Sequence, residues 1–119
     1  MGITRVTITV ANPVNLRQFK KKKLLVDTGA LYSIVPRALL KSIGIRPYKK
    51  EIFTLADGST IKREVGTAFL SLNGRQAPTP VIFGEKKDGA LLGVIALESL
   101  GLTVNPRTGK LQPIPLLLM

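Results

Sequence analysis

The sequence predicts a mainly β domain with one or two short helices, and three observations point that way. Valine, isoleucine, leucine and threonine are plentiful while aromatic residues make up only 5% of the chain. Turn signals recur roughly every ten residues, the spacing of short strands rather than of long helices. The opening "ITRVTITV" puts Val6, Ile8 and Val10 on one face and Thr7 and Thr9 on the other, which is strand period. At 119 residues and 45% hydrophobic, the chain can bury one core but is short for two, so residues 1–119 are read as one domain.

The elements follow in order. After the first strand, "ANPVN" turns the chain into "LRQFKKKKLLVD", whose far end forms the second arm of a hairpin running into Asp27. Within it, Lys20 to Lys23 read either as a solvated strand or loop segment or as an anion-binding patch. In "VPRALLKSIGI" the period changes. Pro36 suits a first helical position, Leu39, Leu40 and Ile43 share an apolar stripe, and Gly44 stands where a C-terminal cap belongs. "EIFTLADGSTIKREVG" reads as two strands around Asp57-Gly58, and "TAFLSLNGRQAPTPVIF" as two around Asn73-Gly74, both preferred hairpin pairs. Pro78 and Pro80 lack an N–H and are expected to push the following strand to a sheet edge. "GEKKDG" is a loop. "ALLGVIALESLGL" gives a short apolar strand, Gly93 and a second short helix ended by Gly101, and the tail turns once more around Asn105 to Gly109 before an apolar end. "LLVDTG" with "ALLKSIGI" also echoes "ALLG" with "ALESLGL", which is either a degenerate duplication or a chance likeness.

Composition narrows the chemistry. With no cysteine and no histidine, the chain has no disulfide, thiolate zinc site, cysteine nucleophile or Ser-His relay. Its seven acids (Asp27, Glu51, Asp57, Glu64, Glu85, Asp88 and Glu98) do not cluster in sequence, so no metal site and no cofactor is expected. If the protein is an enzyme, a carboxylate carries the chemistry. No stretch reaches the length of a membrane span, and "MGITRVTITV" lacks a basic leader, so a soluble cytoplasmic protein is expected. A formal charge of +11 with a pI near 10.5 fits a nucleic-acid partner, an anionic substrate or simply a soluble surface.

One acid stands out. In "LLVDTGALYSIVP", Asp27 ends an apolar run, although strands disfavour Asp and a buried carboxylate is costly unless paired. That segment, the hairpin around "ADGS" and the later "LLGVIALESLGLTV", in this order from Leu24 to Val104, resemble the retropepsin-like aspartic proteases. This is the family of retroviral proteases and their cellular single-domain relatives. The resemblance implies a closed, β-barrel-like acid protease fold that forms a two-fold homodimer. It makes Asp27 the catalytic acid, Thr28 a support that hydrogen-bonds across the two-fold axis, and Gly29 the point where substrate backbone approaches. It assigns "FTLADGSTI" as a flap closing over substrate, with Leu55, Ala56, Asp57 and Gly58 at its tip. Leu91 to Gly93 become the strand crossing behind the Asp27 loop, with Leu92 and Gly93 supporting it, and Ile95 to Leu100 the helix that buttresses it. Ala30, Leu31, Leu55 and Ala56 would line an apolar cleft. Asp57 also suits a plain turn role, Ser33 either bonds near the carboxylate or caps the helix, and Tyr32 and Tyr48 read as packing residues.

Peptide hydrolysis by carboxylates supports the same reading. One acid must be ionised to take a proton from water and a second protonated to donate toward the carbonyl, and two adjacent carboxyls share one proton. This chain has one Asp-Thr-Gly. The second Asp27 therefore comes from a second copy across a two-fold axis, and "GITRV" and "IPLLLM" are candidates for an intersubunit sheet, although "PLLLM" could equally pack on its own subunit. Two departures separate the chain from retroviral members. Leu31 and Val94 stand where an acid and an arginine usually pair, exchanging a polar contact for an apolar one, and the flap has only Gly58 where retroviral tips are glycine-dense. The glycine-poor flap is expected to be stiffer, and "DTGALYSIVP" followed by a helix is closer to the cellular and prokaryotic members. The expected partners are a second copy and a peptide or protein substrate, with no membrane. The less favoured alternative is an inactive dimer that binds an anionic partner such as nucleic acid through Lys20 to Lys23 and a formal 2 × 11 = +22 charge. It lacks a recognition helix or stacking platform.

Overall fold

The computed structural model describes residues 3–115. Gly2 and the apolar end Leu116–Met119, offered above to an intersubunit sheet, lie outside the described residues. Strands β1 (Arg5–Asn12) and β2 (Asn15–Val26) form the first hairpin, paired from Arg5 with Leu25 to Asn12 with Asn15. The alternation works as read, with Ile8 and Val10 fully buried and Thr7 exposed. Asn12 closes the turn by accepting the Val14 N–H at 3.0 Å, and its amide donates to the Ile43 carbonyl at 3.0 Å, tying the hairpin to the first helix. Lys20 to Lys23 belong to β2 and face β1 on one edge, while the other edge meets a further strand only at Leu25 and Val26. Among the described residues the lysines therefore line an open sheet edge, where repeated positive charge opposes edge-to-edge association.

Strand β3 (Ser33–Pro36) precedes helix α1 (Arg37–Ser42). The helix starts one residue later than the proline rule suggested. Pro36 ends β3 with φ −54° and ψ 134°, held extended by its parallel pairing with Gly84. Gly44 does turn the chain at the helix end, with φ 79° and its N–H donated to the Lys41 carbonyl at 3.0 Å. Strands β4 (Lys49–Thr54), β5 (Thr60–Leu72) and β6 (Arg75–Gly84) run as two hairpins. Asn73 and Gly74 both take positive φ, 50° and 83°, as a two-residue primed turn requires.

The edge expectation for the strand after Pro78 needs correcting. In the seven-stranded sheet, ordered β1-β2-β7-β3-β6-β5-β4, strand β6 is interior. Its pairing with β3 begins only at Val81, so both prolines fall on a stretch bonded to β5 alone and remove no ladder bond to β3. The sheet continues with β7 (Leu91–Leu92), which leads through Gly93 into α2 (Val94–Ser99), one residue earlier than read. Strands β8 (Leu102–Val104) and β9 (Leu111–Pro113) form the last hairpin as a separate two-stranded sheet. β5 also reaches back to β1, pairing Phe69 with Ala11 through Ser71 with Thr9. The side chains enclosed by this arrangement, among them Leu24, Leu40, Leu70, Val81, Phe83 and Leu92, are fully buried. The two echoed segments meet where Leu25 and Val26 run parallel to Leu91 and Leu92.

Candidate active site

Asp27 sits where β2 leaves the sheet, half-buried, and its surroundings fix it through main-chain bonds. Its N–H donates to the Leu92 carbonyl at 3.0 Å, and the preceding Val26 N–H donates to the Thr4 carbonyl at 2.8 Å. Its Oδ1 accepts the Gly29 N–H at 2.9 Å, and its carbonyl accepts the Ala30 N–H at 3.2 Å, so the loop folds around its own acid. A Cβ on Gly29 would stand 3.3 Å from that Oδ1, and glycine keeps the approach open.

The remainder of the loop is held by α2. The first amides of a helix have no partner within it, and here Val94 and Ile95 donate theirs to the Ala30 and Leu31 carbonyls at 2.8 and 3.1 Å. Gly93 makes the close crossing possible, since a Cβ there would lie 2.6 Å from the Tyr32 oxygen. The Gly93 N–H donates to Ser33 Oγ at 2.9 Å, and Ser33 is almost completely buried. Of the two roles left open for Ser33, this bond excludes the cap, for α1 has no side-chain cap. Leu92 and Gly93 thus stand directly behind the Asp27 loop. Leu31 is 63% exposed, so the expected apolar contact with Val94 gives way to the main-chain bond between Leu31 and Ile95.

In front of Asp27 lies a cleft of about 630 Å³. Asp27, Gly29, Ala30 and Leu31 form one wall, Phe53, Leu55 and Ala56 of the β4–β5 hairpin another, and Ile34, Ile82 and Leu91 lie between them. Of the sequence-nominated residues, Gly29, Ala30, Leu31, Leu55 and Ala56 are brought together with Asp27. Asp57 and Gly58 do not line the cleft. Asp57 serves its turn, accepting the Ser59 hydroxyl at 2.5 Å and the Ser59 N–H at 2.9 Å, and these bonds hold its carboxyl below the usual carboxylate range. Gly58 takes φ 87° beside it. Tyr32 packs edge-on against Phe53, ring centroids 5.6 Å apart, joining the two walls.

Behind Asp27 there is a second, smaller recess of about 310 Å³, lined by Ile3, Thr4, Leu25, Val26, Thr28 and Val104 as well as Asp27 itself. Thr28 is exposed there.

Three charged residues of the cleft were not nominated for it from the sequence: Glu51, Arg63 and Asp88. Arg63 donates from Nε to Asp88 Oδ2 at 2.7 Å and from its terminal nitrogen to Oδ1 at 3.0 Å, a two-point pair mostly shielded from solvent. That pairing, first, and the Glu85 N–H hold the Asp88 carboxyl below the usual range. Nothing local announces it, because the partners are 25 residues apart. Among the described residues no three His, Cys, Asp or Glu side chains gather as a metal site, and no helix is long and apolar enough to cross a membrane.

A β sheet folded around one loop-borne aspartate beside a cleft defines the class of the retropepsin-like folds. The solution structure of the simian foamy virus (mac) protease is similar, with a TM-score of 0.52 over 76% of this chain and 87% of that one, at 21% identity. A family model described as aspartyl protease matches residues 6–96, and the chain belongs to that family. No curated protein matches the chain.

Proposed function

We propose that the protein is an aspartic endopeptidase that works as a two-fold homodimer, with Asp27 of each subunit forming the reacting pair. The observation that carries this reading is that Asp27 lines two depressions at once, the cleft in front and the recess behind. The cleft suits an extended peptide, and the recess, with Thr28 exposed beside the acid, suits a second copy that brings its own Asp27. The aspartyl protease family and the viral protease fold support peptide hydrolysis in general terms.

In this mechanism one carboxylate takes a proton from a water whose oxygen attacks the scissile carbonyl carbon, while the protonated partner donates to the carbonyl oxygen. Collapse of the tetrahedral adduct breaks the C–N bond, and the amine leaves with a proton returned from the pair. The apolar lining from Ala30, Phe53, Leu55 and Ile82 favours hydrophobic side chains beside that bond. The β4–β5 hairpin acts as the flap, and the β1–β5 pairing supports a closed barrel.

The test compares wild type with Asp27→Asn and Asp27→Ala on a mixed peptide library at acidic pH, with mass measured by sedimentation. The expected result is cleavage by a wild-type dimer and none by either variant, both still folded and dimeric. Cleavage at the wild-type rate by Asp27→Asn sinks the assignment, and full activity from a monomer sinks the dimer.

A further inference from the structure

The β4–β5 hairpin is attached to the molecule unevenly. From Lys49 with Val65 to Thr54 with Thr60 its two strands pair with each other. β6 joins β5 only from Val65 onward. Beyond that point the hairpin is a two-stranded ribbon, which has little stability of its own in water, and Ile52 on it is 68% exposed.

Side chains interrupt this freedom at three places: Phe53 meets Tyr32 edge-on, Glu64 forms an ion pair with Arg37 of α1, and Arg63 reaches a loop that bears on Asp27. Arg63, paired across the ribbon with Glu51, makes its two-point ion pair with Asp88 of the loop that follows β6. Its third guanidinium nitrogen donates to the Lys62 carbonyl at 2.9 Å. Asp88 is itself seated, since Oδ2 also accepts the Glu85 N–H at 2.8 Å and its own N–H donates to the Glu85 carbonyl at 2.9 Å. The loop then feeds β7, where the Ala90 carbonyl accepts the Leu25 N–H and the Leu92 carbonyl the Asp27 N–H. The pair thus joins the hairpin to the strand that holds the acid.

We propose that the Arg63–Asp88 ion pair is the hinge latch of the β4–β5 hairpin, a positioning pair that pins it at the Glu51–Arg63 rung, sets the cleft width and leaves residues 52–62 to lift for substrate. The proposal rests on the peptidase reading for its kinetic consequence but not for its structural one. Each guanidinium nitrogen of Arg63 and each carboxylate oxygen of Asp88 already has a partner, and the pair is neutral as a whole. Its effect is on the shape of the cleft, and through that on substrate binding.

Amide hydrogen exchange of the intact protein reads the hinge directly, in wild type, Arg63→Met, Asp88→Asn and the double variant. Wild type should exchange quickly over 52–62 and slowly at and beyond Arg63. Each single variant should carry fast exchange toward Val65 while β6 stays protected, and the double should go no further than the worse single, because both remove one contact. On a peptide cleaved by wild type, each variant should raise KM roughly tenfold with kcat within about twofold. An unchanged exchange boundary in both single variants, or additive effects in the double, overturns the latch. If Asp88→Asn loses protection throughout the sheet, Arg63→Met, which leaves the 85–88 turn intact, decides alone. Should wild type cleave nothing, the peptidase reading falls and the exchange boundary still judges the hinge.

Discussion

The Asp27 loop and the β4–β5 hairpin face each other across one cleft, yet they are attached by different means. The loop is held by main chain on both sides, with the Leu92 carbonyl at its start, the first amides of α2 at its end and Ser33 Oγ on the crossing strand. The hairpin is held by its own rungs, by the edge-on contact of Phe53 with Tyr32 and, at its base, by the side-chain ion pairs of Arg63 with Asp88 and of Glu64 with Arg37. The difference matches what the proposed peptidase would ask of each wall. A reacting carboxylate gains from being placed before substrate arrives, whereas a covering wall has to admit a chain and close over it. Main-chain anchoring suits the first task, and side-chain contacts at the base of a two-stranded ribbon suit the second.

The contrast can be broken most sharply at Gly93. Gly93→Ala places a methyl 2.6 Å from the Tyr32 oxygen and 2.8 Å from the Leu31 oxygen, main-chain atoms that cannot move without the Asp27 loop. A loss of about 3 kcal/mol or more is expected, seen as a lower midpoint in urea unfolding, together with loss of peptide cleavage. If Gly93→Ala unfolds at the wild-type midpoint, the loop is not the rigid partner described here.

Ser33→Ala should rank second. It strands the buried Gly93 N–H, at a cost of about 1–3 kcal/mol, and Ser33→Thr should lose less wherever the extra methyl is accommodated. Equal midpoints for wild type and Ser33→Ala would mean that the N–H has found another acceptor.

On the hairpin side the effect is conditional on pH. The Asp88 carboxyl is lowered in the folded protein, chiefly by its bond to Arg63. Its contribution to stability is therefore complete above the ordinary carboxylate range and is lost as pH falls through the lowered folded value. Urea midpoints followed from neutral to strongly acidic pH should decline less steeply for Asp88→Asn than for wild type at the acid end. Parallel curves would remove the ion pair from the account.

Gly58→Ala should matter least. Nothing lies within 4 Å of the added methyl, so only the positive φ of 87° opposes it. A cost near 1 kcal/mol is expected, confined to the tip, and visible as faster exchange at Leu55 and Gly58 with the sheet unaffected. Protection lost in β6 would show the hairpin to be as firmly integrated as the loop.

The parts of this molecule that could be read from the chain are those whose cause is local. Alternation located β1, Asn73-Gly74 and Asp57-Gly58 located two turns, Gly44 and Gly101 located two helix ends, and Asp27 betrayed itself by following an apolar run that would otherwise exclude it. The misplaced elements have causes elsewhere in the chain. Pro36 is extended because Gly84 lies beside it, and β3 leaves no strand signal of its own because its four residues merge into a helical pattern. Pro78 and Pro80 belong to an interior strand because β3 stops short of them.

The same division runs through the site. The identity of the acid, the glycine that keeps its approach open and the exclusion of thiol, imidazole and thiolate-metal chemistry were properties of composition and order, which do not depend on folding. Which hydroxyl meets the Gly93 amide and which cation meets Asp88 were decided only by the tertiary structure. Each of these depends on groups far apart in sequence arriving within about 3 Å of one another, the reach of a hydrogen bond.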